Sequence, residues 1–401
     1  MRCMNGSDPA KPHYAVIGIA CESGGVALCE RAALLMREST VFSGGKRHYE
    51  KVRKLLPSGG EWIDIGADME KVFAAYDRRI GEGKSPVVIF ASGDPLFYGI
   101  GQTVKRLRPE SRMEVFRAPS SIEALCGRAG IDFRTVSAAS VHGRDWHELD
   151  RALIAGGQTI GLLTDSVKSP SAAAGRMVEY GFGNYRFVTG ERLGEAGERV
   201  RRMNAERAAA ESFLQPCAVV MEKTAGAARE GAEFETLPGR PGMITKPEAR
   251  EAAFKRLCLG GAGRFWDIGF CTGSVSVEAR RRFAGLRVTA FEKNPRCEAL
   301  IEKNSRLFSA PGIEVVMSDF FEAEPRRRPA PDAVFIGGHG GRLAEMMEIL
   351  RDIVRSGGRV VINSVTEESK AVFRESARDG GFEEPPALTA ENVTVLCAVK
   401  T

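Results

Sequence analysis

Residues 265–278 read Phe265-Trp-Asp-Ile-Gly-Phe-Cys-Thr-Gly-Ser-Val-Ser-Val-Glu278, an apolar strand that passes through a glycine-containing turn into a helix. Gly269 and Gly273 let the backbone come close to a ligand, and the first helical turn from Ser274 offers unpaired N–H groups. Asp267 ends the strand, where open α/β sheets bind their ligands. Around this stretch the pattern alternates strictly. A helix over 246–258 precedes it, and helices over 295–307, 342–354 and 367–377 interleave with strands over 287–292, 313–317, 333–336, 359–363 and 393–399. Such alternation predicts one doubly wound α/β domain spanning 242–401.

Glu292 ends the next strand, where a carboxylate can accept both hydroxyls of a ribose. The spacing Asp-x-Gly-x-x-x-Gly leaves a wider turn than a pyrophosphate cradle and favours an adenosine ligand without phosphates. Asp319 follows the third strand, within reach of an adenine amino group. The fourth strand exits into Phe335-Ile-Gly-Gly-His-Gly-Gly341, where Gly337 and Gly338 open the backbone to a bulky substrate beside His339. Read one by one, Asp267 and Glu292 serve equally well as helix-capping or surface carboxylates, and the glycines as turns. The ordered set implies a Rossmann-like S-adenosylmethionine methyltransferase.

The first half is also α/β but does not repeat that grammar. Strands are predicted over 14–19, 87–90, 113–116, 135–138, 159–163, 186–188 and 218–221, with helices such as 68–80 and 122–129 and a division into two lobes near Ala118. After the strand 87–90 comes Ala91-Ser-Gly-Asp-Pro-Leu-Phe-Tyr-Gly-Ile-Gly101, which sets Gly93, Asp94 and Pro95 in a turn at a strand's carboxyl end. Ala118-Pro-Ser-Ser-Ile122, with Ser120 and Ser121, and Ser140-Val-His-Gly-Arg144 follow the next strands. Residues 224–242 lose periodicity and collect Gly, Pro and Ala, so the chain divides into a domain at 1–224, a linker at 225–241 and a domain at 242–401.

Through GDPLFYGIG (93–101), PSSIEAL (119–125), SVHGR (140–144), LLTD (162–165), SPSAAAGRM (169–177) and ERLG (191–194), the first half resembles the tetrapyrrole methyltransferase family, in its precorrin C5-methylating type. Through ITKPEAR (244–250), WDIGFCTGSVSVEA (266–279), FEKNPRCEALIEKN (291–304) and FIGGHGG (335–341), the second resembles the precorrin C15-methylating, decarboxylating type. The family usually opens with Gly-x-Gly-Pro-Gly after the first strand, whereas this chain has Gly18-Ile-Ala-Cys-Glu-Ser-Gly-Gly25. The resemblance implies a two-lobed tetrapyrrole-methyltransferase domain followed by the Rossmann-like domain. It further implies methylation of C5 and C15 of a corrin precursor with or without cobalt, and loss of the ring C acetate carboxyl. One S-adenosylmethionine per half would leave S-adenosylhomocysteine as product, and the chain would form a homo-oligomer.

On that resemblance Gly93, Asp94, Pro95, Ser120 and Ser121 border the first cofactor site, and Thr245, Asp267, Gly269, Thr272, Gly273, Ser274, Glu292, Lys293, Asp319, Gly337 and Gly338 the second. A sulfonium methyl is already electrophilic, so alignment and exclusion of water are the main tasks, and no nucleophilic triad is needed. Arg144, Lys246 and Arg250 are candidates for substrate carboxylates because each lies in a matched motif, and His339 for a proton donor or carboxylate contact. Each is open to the alternative of an ordinary ion-paired or packing residue. The runs Arg280–Arg282 and Arg326–Arg328 read as solvated faces, and His13, His48 and His147 carry no signal.

Composition bounds the rest. The 401 residues carry 57 Lys and Arg against 52 Asp and Glu, net +5, an excess suited to an anionic small molecule and short of a nucleic-acid-binding stripe. With no membrane-length apolar run and no signal or transit pattern in MRCMNGSDPAKPHY, the expected location is the cytoplasm, with no membrane partner. Nine cysteines without a CxxC pair read as reduced core residues, and no metal site is expected. Two other readings stay open: a transferase acting on RNA or another small molecule, and a chain whose N-terminal half only binds the tetrapyrrole.

Overall fold

The computed structural model describes residues 12–21, 28–225, 232–390 and 392–401. Three sheets follow one another. The first is built from β1 (Tyr14–Ile19), β2 (Val41–Gly44), β3 (Glu61–Asp64), β4 (Val87–Ser92) and β5 (Met113–Phe116), all parallel, in the order β3-β2-β4-β1-β5. β1 and β4 are apolar runs buried on both faces, as a parallel sheet flanked by helices requires. Tyr14, Val16, Ile89, Phe73 and Tyr76 fill one side, and Ala15, Ile17, Phe42, Val88 and Phe90 the other. β2 and β3 lay beyond the sequence reading because each has only four residues, and β3 (EWID) is nowhere fully buried.

The second sheet departs from the uniformly parallel pattern expected of the whole chain. It contains β6 (Val136–Ser140), β7 (Thr159–Leu163), β8 (Tyr185–Glu191), β9 (Arg199–Asn204) and β10 (Cys217–Lys223), in the order β6-β7-β10-β8-β9. Only β6 and β7 run parallel. β9 was missed because RVRRMN has no apolar alternation; two of its arginines, Arg199 and Arg201, face the fully buried Glu191, while Arg202 donates to the Ala129 carbonyl. The helix Ser121–Ala129 joins the two lobes, capped by Ser120 at its start and closed by Gly130 at φ 69°.

The third sheet comprises β11 (Arg264–Ile268), β12 (Arg287–Glu292), β13 (Ile313–Met317), β14 (Ala333–Ile336), β15 (Arg359–Ser364), β16 (Phe382–Glu383), β17 (Leu388–Ala390) and β18 (Val393–Lys400). Its order is β13-β12-β11-β14-β15-β18-β16, with β17 also on β18, and everything paired to β18 is antiparallel. Trp266, Phe291 and Ile336 pack one face and Phe265, Val288 and Phe335 the other, each such side chain contributing about 1.5–3 kcal/mol on burial. β11 therefore ends at the point where the strand order reverses, which opens a crevice at its carboxyl end.

The stretch expected as a linker is packed from Phe234 onward: that ring stacks on Phe308 at 4.0 Å, and Glu235 exchanges hydrogen bonds with Asn304. The two halves also meet along a charged seam. Arg287 pairs with Asp145 and Arg306 with Glu179, each at 2.7 Å. Deeper in, Arg280 is fully buried, against the expectation of a solvated face, and donates to the carbonyls of Pro311, Ala284 and Leu286. Burial brings its pKa down to about 10 despite the nearby Asp150 carboxylate, itself held by both arms of Arg176. Gly312 (φ +85°) lets the chain pass there, since a Cβ would lie 2.7 Å from Asp150 Oδ2.

Candidate active sites

The C-terminal crevice has two connected parts. One, of about 410 Å³, is lined by Asp267, Gly269, Thr272, Gly337, Asn363 and the segment 242–246. The other, of about 220 Å³, lies across the same glycine turn, between Glu292, Asp319, Phe321 and His339. Gly269 (φ +76°) and Gly338 pack backbone to backbone; a Cβ on Gly269 would lie 2.7 Å from the Gly338 nitrogen. Asp267 is buried, and its Oδ2 accepts from the Ser276 hydroxyl (2.6 Å) and amide (3.1 Å), whereas Oδ1 is buried with no partner among the described residues. Burial pushes this carboxyl up to about 7, against the two Ser276 bonds. A buried acceptor left open in a crevice fits a ligand that brings a donor or a cation.

Glu292 closes the turn, accepting from the amides of Cys271 (3.1 Å), Lys293 (2.9 Å) and Asn294 (3.0 Å). Asp319 accepts from the Phe321 amide at 3.1 Å and Lys293 Nζ at 3.3 Å. Burial raises its pKa, but these two partners outweigh that and hold it below the ordinary value. The His339 Nδ1 accepts from the Gly341 amide at 3.2 Å, which turns the ring back on its own loop. Orphaned Asp267 Oδ1, the backbone cradle at Gly269 and Gly338, two carboxylates at neighbouring strand ends and the Phe321 ring together suit an adenosine bearing a cationic amino-acid tail.

In the N-terminal half three loops meet at the carboxyl ends of β1, β4 and β5. A Cβ on Gly18 would fall 2.0 Å from the Gly93 carbonyl, and one on Gly93 (φ +62°) 2.8 Å from Ser120 Cα. Backbone there touches backbone, leaving a groove closed on the far side by the second lobe. Ser121, Ser92 and Cys21 line it with Gly190, Glu195 and Cys217 from across the cleft. Asp94 is occupied otherwise: its carboxylate pairs with Arg117 at 2.6 Å and accepts from the Leu96 amide at 2.8 Å, so it shapes the loop. Ser120 caps its helix by accepting from the Glu123 amide, and the Pro95 carbonyl anchors Gly101 at 3.0 Å. Of the loop expected at 18–25, residues 22–25 lie outside the described residues.

The architecture of both halves has counterparts among known proteins. Residues 26–209 match the family described as tetrapyrrole (corrin/porphyrin) methylases, and residues 239–384 match a precorrin methyltransferase domain. A Sinorhizobium protein named precorrin-6Y C(5,15)-methyltransferase [decarboxylating] is 34% identical over 95% of this chain and 92% of its own length. The chain belongs to this family of fused precorrin-6Y methyltransferases. Separate Salmonella typhimurium proteins are similar to each half: a cobalt-precorrin-7 C(5)-methyltransferase, 31% identical over 40% of this chain and 75% of its own length, and a cobalt-precorrin-6B C(15)-methyltransferase (decarboxylating), 35% identical over 33% and 68%. In this family, S-adenosylmethionine is the methyl donor.

The expected site residues of these methyltransferase halves divide on inspection. Thr245, Lys246, Asp267, Gly269 and Thr272 line the larger part of this crevice, and Glu292, Lys293, Asp319, Gly337, Gly338 and His339 the smaller. Gly273 (φ +73°) and Ser274 sit one turn behind, where Gly273 is pressed on Ile301, so they support the turn from the side away from the crevice. Arg250 lines neither part of this crevice but a neighbouring cavity of about 660 Å³ that shares Thr245 and Lys246 with it; it is buried, donates to Glu278 at 2.5 Å and to the Thr245 carbonyl, and lies against Phe234. Its charge is consumed in fixing the segment that carries Lys246. Arg144 is exposed and rests over the Tyr98 ring at 5.2 Å. Sequence reasoning missed Asn363, whose buried Oδ1 at the end of β15 lacks a partner among the described residues, and the helix carrying Arg47, His48 and Lys51. Asn363 could have been found as the polar end of an apolar strand; the helix had no such signal.

Proposed function

We propose that the chain methylates C5 and C15 of precorrin-6B, or of its cobalt form, and removes the ring C acetate carboxyl. C5 chemistry belongs to the N-terminal half, C15 methylation and decarboxylation to the C-terminal half. The observation that carries the reading is the Asp267 Oδ1, without a partner among the described residues, on a residue that lines a cavity of about 410 Å³ at the reversal point of the third sheet. S-adenosylmethionine, when bound, supplies an electrophilic methyl on a sulfonium centre. Asp267 would hold its amino group, Glu292 its ribose hydroxyls and Asp319 its adenine edge, while the Gly269 and Gly338 backbone excludes water from the reacting side.

At a hydrogen-bearing carbon, each new carbon–carbon bond is balanced by loss of one proton. In the decarboxylation the carboxylate leaves as carbon dioxide, its electron pair stays on the macrocycle, and a proton is taken up there. Lys246 and His339 border this crevice and would contact the substrate carboxylates; Arg144 would do so at the N-terminal cleft. Arg250 acts through the position of Lys246. An anionic tetrapyrrole as the substrate, a homo-oligomeric assembly and a place in the cytoplasm belong to the same reading; among the described residues no helix is long and apolar enough to cross a membrane.

Product mass tests the proposal. The intact chain, given precorrin-6B or cobalt-precorrin-6B and S-adenosylmethionine, should add two methyl groups and lose one carbon dioxide. Unchanged substrate of either kind would overturn the reading, and one methyl with decarboxylation would restrict it to the C-terminal half.

A further inference from the structure

Between the lobes of the N-terminal half lies a pocket of about 110 Å³ whose basic side chains have no place in the scheme above. They come from one short helix, Lys46–Val52. Arg47 and Lys51 are four residues apart and so share a helix face, where two like charges disfavour so short a helix unless an anion sits between them. That anion comes from the other lobe. Glu195 Oε1, on the turn between β8 and β9, lies 2.9 Å from Arg47 Nη2 and 3.9 Å from Lys51 Nζ.

The arrangement is exchangeable. Arg47 is 58% exposed, and Lys51 and Glu195 are 33% exposed; pairs so open to solvent contribute little to stability, so an arriving carboxylate can take the place of Glu195 at little cost. It is also registered to the cofactor loop. His48 Nδ1 accepts from the Gly45 amide at 3.1 Å, which leaves the proton on Nε2, 2.9 Å from Ser92 Oγ. Ser92 directly precedes Gly93. Burial, with Arg47 and Lys51 beside it, brings the His48 pKa down to about 4, so the ring is a neutral strut near pH 7.

We propose that Arg47 and Lys51 form the docking site for a carboxylate side chain of the tetrapyrrole in the N-terminal half, that Glu195 holds this site as an internal stand-in when substrate is absent, and that His48 is a positioning residue fixing it against the cofactor loop. The proposal rests on the reading of this half as a tetrapyrrole methyltransferase. It makes substrate entry an exchange of one carboxylate for another.

The test uses the full chain with the C15-methylated, decarboxylated product of its own C-terminal half as substrate. Arg47→Gln with Lys51→Gln should raise KM for C5 methylation by about tenfold or more, the loss of one charged contact of about 1.4 kcal/mol or above, and leave C15 methylation of precorrin-6B unchanged. Glu195→Gln should act in the opposite direction and lower that KM. An unchanged KM in the double variant, or a rise in KM with Glu195→Gln matching it, would overturn the proposal, the latter by showing a lobe latch only. Titrating the tetrapyrrole by its visible absorption, without methyl donor, separates the two levels. If the wild-type chain added no methyl at C5, the transferase reading of this half would fall, while weaker binding in the double variant would uphold the carboxylate site and equal binding would overturn it.

Discussion

The two halves solve one problem, holding a methyl donor beside a large anionic ring, with different geometry. In the C-terminal half the parallel strands of a single sheet supply the crevice, and its carboxylates stand at the ends of neighbouring strands: Asp267 on β11, Glu292 on β12 and Asp319 just past β13. In the N-terminal half the groove lies between two sheets of different type, and the carboxylate in its glycine loop, Asp94, is already committed to Arg117. One site is made by strand ends within a sheet, the other by the meeting of two lobes. Damage to the first should therefore be local and to the second distributed.

The sharpest way to break the comparison is to fill the two places where backbone touches backbone. Gly269→Ala would put a methyl 2.7 Å from the Gly338 nitrogen at a φ of +76°. Strain of about 1–3 kcal/mol in the turn and displacement of the glycine loop follow, enough to cut C15 methylation and decarboxylation by about 100-fold or more, since misplacement of about 1 Å has that cost. Gly18→Ala, with a methyl 2.0 Å from the Gly93 carbonyl, should do the same to C5 methylation alone. Product masses from the two variants should be complementary; loss of both methylations in either would show that the halves do not act separately.

Next in size is Asp267→Asn. The amide keeps an acceptor for Ser276 but removes the charge facing the crevice, so S-adenosylhomocysteine should bind the C-terminal half about 10- to 100-fold more weakly, matching a charged hydrogen bond of about 1.5–3 kcal/mol. Calorimetry on the full chain should show one of two binding events weakened and the other untouched. Asp94→Asn gives the contrast: loss of the Arg117 pair should loosen the loop and lower the Tm, with a smaller change in affinity.

The same carboxylate sets a pH dependence. Asp267 has a folded pKa near 7, raised above its unfolded value by burial. Its ionisation therefore costs stability as pH rises from about 4 toward 7, since the folded chain holds the proton that the unfolded chain has released. A cationic amino group bound against Asp267 needs the ionised form, so affinity in the C-terminal half should fall about tenfold per unit below pH 7. In the N-terminal half the buried loop acid, Asp94, is already paired with Arg117 at 2.6 Å, so that site should be flatter. Equal slopes for the two sites would remove Asp267 from the cofactor contact.

How much of this was legible in the sequence follows from the same contrast. The strands of the third sheet that carry the site could be read because their carboxylates sit at the ends of apolar runs, whereas β16 and β17, of two and three residues, were too short to leave a pattern. Asn363 was overlooked although it stands as a polar residue at the end of an apolar strand; its open acceptor is what packing adds. In the N-terminal half Arg47 meets Glu195 across 148 positions of sequence, and His48 acquires its role only when Ser92 is folded against it. β9 was hidden for a related reason: two of its arginines are there for a buried Glu191, and charge pairing leaves no periodicity. Arg250 misled in the other direction, since a basic residue in a matched motif was spent on Glu278.

The smallest expected effect on either methylation concerns the seam between the halves. Arg287 and Asp145 are about half exposed, and a pair of that kind contributes about 0–1 kcal/mol. Arg287→Ala should thus shift the Tm by no more than a few degrees and leave both methylations intact. Asp150 lies deeper, fully buried between Arg176 and the Gly312 turn. Asp150→Ala strands the Arg176 guanidinium beside the already buried Arg280, and breaking a buried pair by removing one partner costs about 3–5 kcal/mol. If the seam only glues two independent enzymes together, this variant should lose stability with both product masses retained. If it also sets how the ring passes from one half to the other, the C15-methylated intermediate should accumulate in solution while each half, supplied with its own substrate, keeps its rate.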